Sequence, residues 1–235
     1  MGVAFLCAWK AFEIDMRRRE LFKPRSELII LLLAISGVLG SRLYHELETP
    51  ANLLANPLKI FNITQGHAWF GGFLGGIAIL SFLARMYKLP ILTMMDVASP
   101  AAALGYSIGR IGCLLSGDGC YGAQTTLPWG MRFPNGLVPT NDLVHPTPIY
   151  EAAIGLFIFL YLRRLWSHLR PPGFVFAQYL ILTGASRFFV EFIRLNPRHF
   201  FGMTIAQIVS LLCLSLGGLL FARMSLPRPT PDSGA

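Results

Sequence analysis

The chain has 235 residues, of which 54% are hydrophobic and only 14% charged, with a mean hydropathy of +0.54. Soluble domains carry about 25% charged residues, so this composition excludes a fold covered by polar surface and predicts a polytopic membrane protein. The formal charge of +8 sits in short clusters between apolar runs, with no nucleic-acid-binding motif around it, so neither DNA nor RNA is expected as a partner.

Apolar runs lie at about 2–16, 27–44, 67–85, 93–112, 148–166, 173–193 and 204–222. None alternates with the period of two that an outer-membrane strand requires, and most are long enough for a helix. The prediction is an all-α protein of about seven transmembrane helices, with one membrane domain over 1–224 and a Pro-rich disordered tail over 225–235. The first run is short for a span and carries Lys10, Glu13 and Asp15. It lacks the basic start and the small-residue cleavage site of a signal peptide. It is either a partial helix whose upstream part is missing or a helix whose charged side faces the bundle.

Basic clusters follow the first run (Arg17, Arg18, Arg19, Lys23, Arg25), the third (Arg85, Lys88), the fifth (Arg163, Arg164, Arg170) and the seventh (Arg223, Arg228). If the segments alternate in direction, all four clusters fall on one side. Lys and Arg accumulate on the cytoplasmic side, so the N-terminus is expected outside and the C-terminus in the cytoplasm. Arg42, Lys59, Arg110, Arg132, Arg187, Arg194 and Arg198 then lie toward the outer face. Basic residues there need partners or a task.

Two stretches read as packing surfaces. "GGFLGG" (71–76) and Gly105 to Gly109 place small residues four apart, which lets helix backbones approach closely. The stretch "GYSIGRIGCLLSGDGCYG" (105–122) contains G-x-G-x-x-G. No strand precedes it and no βαβ unit surrounds it, so it is not a dinucleotide fingerprint. It reads as a helix end and turn that present Arg110 and Asp118, with Gly112 and Gly122 letting backbone lie close to a ligand.

Other polar groups gather on the same side. In "HPTPIYEA" (145–152), Thr147 suits an N-cap, Pro148 the first helical position and Glu151 the positive end of the helix dipole. Capping does not require His145 or Tyr150, so a structural and a functional reading both stand. In "SRFFVEFIR" (186–194), Arg187, Glu191 and Arg194 share one helix face. They form either a neutralised ion pair or, with two arginines against one glutamate, a site for an anion such as phosphate. Arg132 is a further candidate, or a simple interfacial anchor. With several arginines, few acids and no triad of nucleophile, base and orienter, the set describes a membrane-embedded site for an anionic lipid.

The four cysteines (Cys7, Cys113, Cys120, Cys213) contain no C-x-x-C pair, so no zinc or other metal is expected. Cys7 and Cys213 read as buried apolar residues. Cys113 and Cys120, seven apart across a glycine-rich turn, are either a disulfide or two inert thiols.

Taken in order, "GSRLY" (40–44), the Gly-Gly helix at 71–76, "GRIG" (109–112), "MRFP" (131–134), "HPTPIYEA" and "RFFVEFIR" (187–194) resemble the prolipoprotein diacylglyceryl transferase family over nearly the whole chain. The resemblance implies a multi-pass enzyme of the bacterial cytoplasmic (inner) membrane. Such an enzyme moves diacylglyceryl from phosphatidylglycerol to the lipobox cysteine thiol of a preprolipoprotein at the periplasmic face and releases glycerol 1-phosphate. Its partners would be phosphatidylglycerol, the preprolipoprotein and membrane lipids, with no cofactor. Carried over, Arg110 and Arg187 bind the phosphate, Glu191 and Arg194 support them, and Tyr150 and Glu151 shape the site, with Arg132 and His145 also on the substrate side.

The sequence departs from the family pattern at three places. The usual G-R-x-G-N has Cys113 in place of asparagine, the usual N-G-E is Ser116-Gly117-Asp118, and the helix histidine before Gly-Gly is Phe70, with His67 three residues earlier. The thiol-activating base is therefore open among His67, Asp118 and Glu151. Three functions remain: the family transferase, a divergent phospholipid-cleaving or transferring enzyme with another acceptor, and a non-catalytic lipid-binding homologue.

Overall fold

The computed structural model describes residues 2–21, 26–47, 69–166, 170–198 and 202–225. They contain seven helices: α1 (Gly2–Arg18), α2 (Ser26–Leu47), α3 (Trp69–Met86), α4 (Ile91–Ser116), α5 (Thr147–Trp166), α6 (Phe174–Val190) and α7 (Ile205–Ser225). Between α4 and α5 lies a short antiparallel pair, β1 (Met131–Phe133) and β2 (Thr140–Val144), in which Met131 faces Val144 and Phe133 faces Thr140 around an irregularity. The helices follow the predicted apolar runs. The strand pair is an addition to the all-α expectation, since segments of three and five residues are too short to show a period.

The described residues fall into two compact units, one of Glu13–Met95 and one of the chain up to Phe12 and from Asp96 onward. In the first, α2 and α3 pack through glycines. A Cβ on Gly75 would stand 2.5 Å from the Ser36 carbonyl oxygen, and one on Gly72 would stand 3.1 Å from that of Gly37. Gly40 meets the Gly71 carbonyl more closely still. "GGFLGG" is therefore a backbone-contact surface, as its spacing predicts. On α1, Glu13 pairs with Arg17 at 2.9 Å one turn on, while Asp15 is fully buried.

The second unit carries the candidate chemistry. Gly105 of α4 approaches Ala8 of α1, with 3.2 Å left for a Cβ, whereas Gly109 has open space around it. Thus only the first glycine of that pair is a packing contact. Ser107 on α4 donates to the Ala152 carbonyl on α5 at 2.7 Å, beside Gly155. On α6 and α7, Gly184 and Gly217 let the two helices touch, each allowing only 2.9 Å between a Cβ and the facing carbonyl oxygen. The first turn of α6 begins at Gly173, which offers no side-chain cap. Asp96 supplies one from α4, its two oxygens accepting the Gly173 and Phe176 N–H groups at 2.7 and 2.8 Å.

Helix α4 ends at Ser116, four residues beyond the predicted 112, so Arg110, Gly112 and Cys113 lie inside it. The stop is Gly117, which takes a left-handed φ of 57° while its N–H closes the last turn on the Cys113 carbonyl. Two helices, Ile91–Ser116 and Ile205–Met224, are long and apolar enough to cross a membrane. Leu212, Leu216 and Leu219 lie exposed along one face of α7, which suits lipid rather than water as the surrounding solvent.

Candidate active site

At one end of the second unit, α4, α5 and α6 each contribute charge to a single cluster. Its centre is Glu151, in the second turn of α5 and only 3% exposed. One carboxylate oxygen accepts Arg187 Nη1 and the Tyr106 hydroxyl, both at 2.6 Å. The other meets Arg194 Nη1 at 3.2 Å and Arg110 Nε at 3.4 Å. Glu191, fully buried on its side chain, pairs with Arg187 Nη2 at 3.1 Å and Arg194 Nε at 4.0 Å, and accepts Asn196 Nδ2 at 2.5 Å.

Three guanidinium groups thus face two carboxylates. Taking such charges out of water is costly unless each is paired and hydrogen-bonded. Glu151 is an ion-pair partner of all three arginines at once, and in that way fixes their forks relative to one another, while Arg194 Nε and one Glu191 oxygen are buried without a hydrogen bond. Counted by formal charge, the cluster carries one more arginine than carboxylate. Arg187 is the most open of the three at 26% side-chain exposure, against 14% for Arg110 and 10% for Arg194. The guanidinium of Arg110 also lies 4.9 Å from the centre of the Tyr106 ring.

A second group adjoins this cluster through Arg110, whose Nη1 lies 3.5 Å from Cys120 Sγ. Cys113, Asp118 and Cys120 bring their thiols and a carboxylate oxygen within 4.8 Å of one another. The turn between them depends on Gly117 and Gly119, which take φ of 57° and 84° on either side of Asp118. Cys120 is held on both sides: its N–H donates to Asp118 Oδ1 at 3.2 Å, and its carbonyl accepts the Thr147 hydroxyl. Thr147 is therefore a cross-link to this turn, and not the helix cap its sequence position suggests. Both cysteines are free thiols. A hydrogen bond from Cys113, aided by the charges of Arg110 and Arg194, pulls the Cys120 thiol below the ordinary thiol range to about 6, against half-burial and Asp118.

The loop is stitched to its neighbours by backbone bonds. Gly122 N–H donates to the His145 carbonyl, His145 N–H to Ala123, and Ala123 N–H to Ile193. A Cβ on Gly122 would stand 2.6 Å from the Ile193 carbonyl oxygen and 2.9 Å from Thr147, so this glycine is required for close approach within the protein. Gly112 has open space beside it. His145 and Tyr150 form a separate pair, with Nδ1 3.4 Å from the hydroxyl, which also accepts Trp129 Nε1 at 2.8 Å. Arg132 on β1 is exposed and donates to the Asn141 carbonyl at 2.9 Å. It does not join the charge cluster. His67 lies outside the described residues, as does the Phe70 side chain.

Sequence reasoning brought Arg110, Glu151, Arg187, Glu191 and Arg194 to one site but missed Tyr106, Asn196 and Trp129. Tyr106 stands one helical turn before Arg110, and that spacing was the signal available.

Seven helices among the described residues, two of them long and apolar enough to cross a membrane, together with a buried cluster of three arginines and two carboxylates, are the features of a helical membrane protein with a charged site. A family model described as prolipoprotein diacylglyceryl transferase matches residues 1–223, and the chain belongs to that family. The phosphatidylglycerol–prolipoprotein diacylglyceryl transferase of Geobacter sulfurreducens is 38% identical over 82% of this chain and 74% of its own length. The second such enzyme of Clostridium perfringens is 30% identical over 100% of this chain and 92% of its own length. That of Clostridium tetani is 32% identical over 80% and 76%.

Proposed function

We propose that the protein is a phosphatidylglycerol–prolipoprotein diacylglyceryl transferase, in which Arg110 and Arg187 grip the lipid phosphate. The observation that carries the mechanism is the Glu151-centred cluster of three arginines with one positive charge unmatched. Phosphate is the natural guest of such forks, because guanidinium donors match its oxygens in pairs. Arg187, the most open, receives the phosphate. Arg110 lies between it and the thiol turn, where the acceptor sulfur must arrive. As the carbon–oxygen bond of the donor breaks, negative charge grows on the departing glycerol phosphate, and preorganised donors stabilise that growth more than the ground state.

Glu151 acts as the positioning counter-ion. Its two oxygens already accept three hydrogen bonds and face Arg110 at 3.4 Å, which leaves it poorly placed to take a thiol proton. Arg194 and Glu191 support Arg187 from the turn that follows α6, and Asn196 orients Glu191. His145 and Tyr150, braced by Trp129, border the site where the lipid or peptide enters, with Arg132 as an outer contact. The reading extends to a single membrane domain over 1–224 in the bacterial inner membrane. In it the N-terminus and the site face the periplasm, in keeping with the basic clusters at the opposite ends of the helices. A reporter fused after Arg223 that is active only in the periplasm would reverse that orientation.

The deciding experiment incubates purified protein with phosphatidylglycerol and a lipobox peptide. Glycerol phosphate release that requires the peptide cysteine is expected. Equal release with a Cys→Ser peptide, or with no peptide, would assign a different acceptor, and no release under any condition would leave a lipid-binding homologue.

A further inference from the structure

Cys113, Asp118 and Cys120 form a group beside the arginine cluster, linked to it by the contact of Cys120 with Arg110. We propose that Cys113, Asp118 and Cys120 bind a zinc-like divalent cation at three positions, leaving a fourth open to the acceptor thiol. The metal site stands on this turn alone, whereas its role as thiol activator rests on the transferase reading.

Three observations support it. The three donor atoms lie within 4.8 Å of one another. With Zn–S of about 2.3 Å and Zn–O of about 2.1 Å, the edges of a zinc tetrahedron are about 3.5–3.8 Å, so small side-chain rotations close the shell. The turn is preformed: Gly117 and Gly119 in left-handed conformations fold Asp118 and Cys120 back toward Cys113, and the Cys120 backbone is bonded at both its N–H and its carbonyl. Only one Asp118 oxygen is used in that bonding, which leaves the other for a metal.

Three protein ligands with an open position are the pattern of catalytic rather than structural zinc. A thiol that takes such a position is deprotonated outright. In the reaction, the lipobox cysteine displaces a metal-bound water and its proton passes through that water to bulk. The metal-held sulfur then forms its bond to the glyceryl carbon while the carbon–oxygen bond to phosphate breaks. The electron pair leaves on glycerol phosphate, between Arg110 and Arg187. No separate imidazole base is then needed.

The test uses the full chain in detergent, reduced with a phosphine, equilibrated with Zn2+ or Co2+ and freed of excess metal. Stoichiometric metal by mass spectrometry is expected. It should be lost in Cys113→Ser, Cys120→Ser and Asp118→Asn but retained in Cys213→Ser, with unchanged thermal denaturation of the metal-free forms. The Co2+ protein should show thiolate-to-metal absorption that strengthens with a lipobox peptide and not with its Cys→Ser form. Metal below stoichiometry in the reduced wild type, or metal retained by all three ligand variants, overturns the site. A cobalt spectrum indifferent to the peptide overturns the activating role. Turnover of phosphatidylglycerol on the same samples separates the two readings. Full turnover in chelator-stripped protein rejects the metal mechanism and keeps the transferase, while bound metal without turnover keeps the metal site and rejects both the transferase and the activating role.

Discussion

Arg110 and Cys113 stand three residues apart near the end of α4, yet they serve two kinds of polar region. The arginine cluster is nearly closed: its carboxylates are buried, and three helices clamp it. The thiol turn is half-buried, draws on one short loop and keeps donor atoms facing one another with no cation among its neighbours except arginine. A closed network stores stability and orientation, whereas an open turn stores reactivity. The same helix end supplies both, so substitutions should sort cleanly into those that unfold and those that only silence.

The largest effect should follow Glu151→Gln. Removing a buried charge partner leaves uncompensated charge and costs about 3–5 kcal/mol. Thermal denaturation in detergent should register this as a large loss, while Cys113→Ser in the adjoining turn melts like wild type. Equal melting of both variants would erase the contrast. Arg187→Ala removes a partner of buried Glu151 and Glu191 and should also melt below wild type. Transfer per folded molecule should fall by about 10²–10³-fold, the loss expected when one preorganised donor to a developing anion is removed. Arg110→Lys should fall nearly as far as Arg110→Ala in the same assay, because a point charge does not replace a fork. Retained turnover in the lysine variant would show that charge alone suffices.

Tyr106→Phe removes one donor to a charged acceptor and should destabilise by about 1.5–3 kcal/mol, read by the same denaturation, with turnover per folded molecule little changed. Smallest is Gly119→Ala, whose φ of 84° and 3.1 Å to Val138 resist a side chain. A loss of about 1 kcal/mol is expected, together with slower cross-linking of Cys113 to Cys120 by a short bifunctional thiol reagent. Unchanged cross-linking would mean that the turn does not depend on that glycine.

Much of this arrangement is legible in the residues. Helical spacing pairs Arg187 with Glu191, although the helix ends at Val190 and Arg194 reaches the same cluster from the turn beyond it, and the glycine spacing of 71–76 anticipates the contact between α2 and α3. What spacing cannot carry is contact between helices. That Glu151 reaches Arg187 across 36 positions, or that Asp96 caps a helix 77 residues away, depends on packing alone. The helix end at Ser116 was hidden by Gly109 and Gly112, which look like a stop but lie within α4, whereas Gly117 has the conformation that ends it. Thr147 fits a cap by type and position, yet its hydroxyl is used elsewhere. The thiol turn was set aside because its ligand spacing is Cys-x4-Asp-x-Cys and not C-x-x-C, and only folding brings its ends together.

Asp96 also bears on how deep the chemistry sits. It anchors the first turn of α6 at Gly173 and Phe176, and Arg187 lies thirteen residues beyond Phe174 on the same helix. At about 1.5 Å per residue the distance is about 20 Å, and an α-helix resists compression along its axis. The aspartate thus works as the zero mark of a ruler whose far graduation is Arg187. Shifting the mark by one turn would move that guanidinium by about 5.4 Å along the helix axis, and with it the place at which the proposed phosphate contact is made.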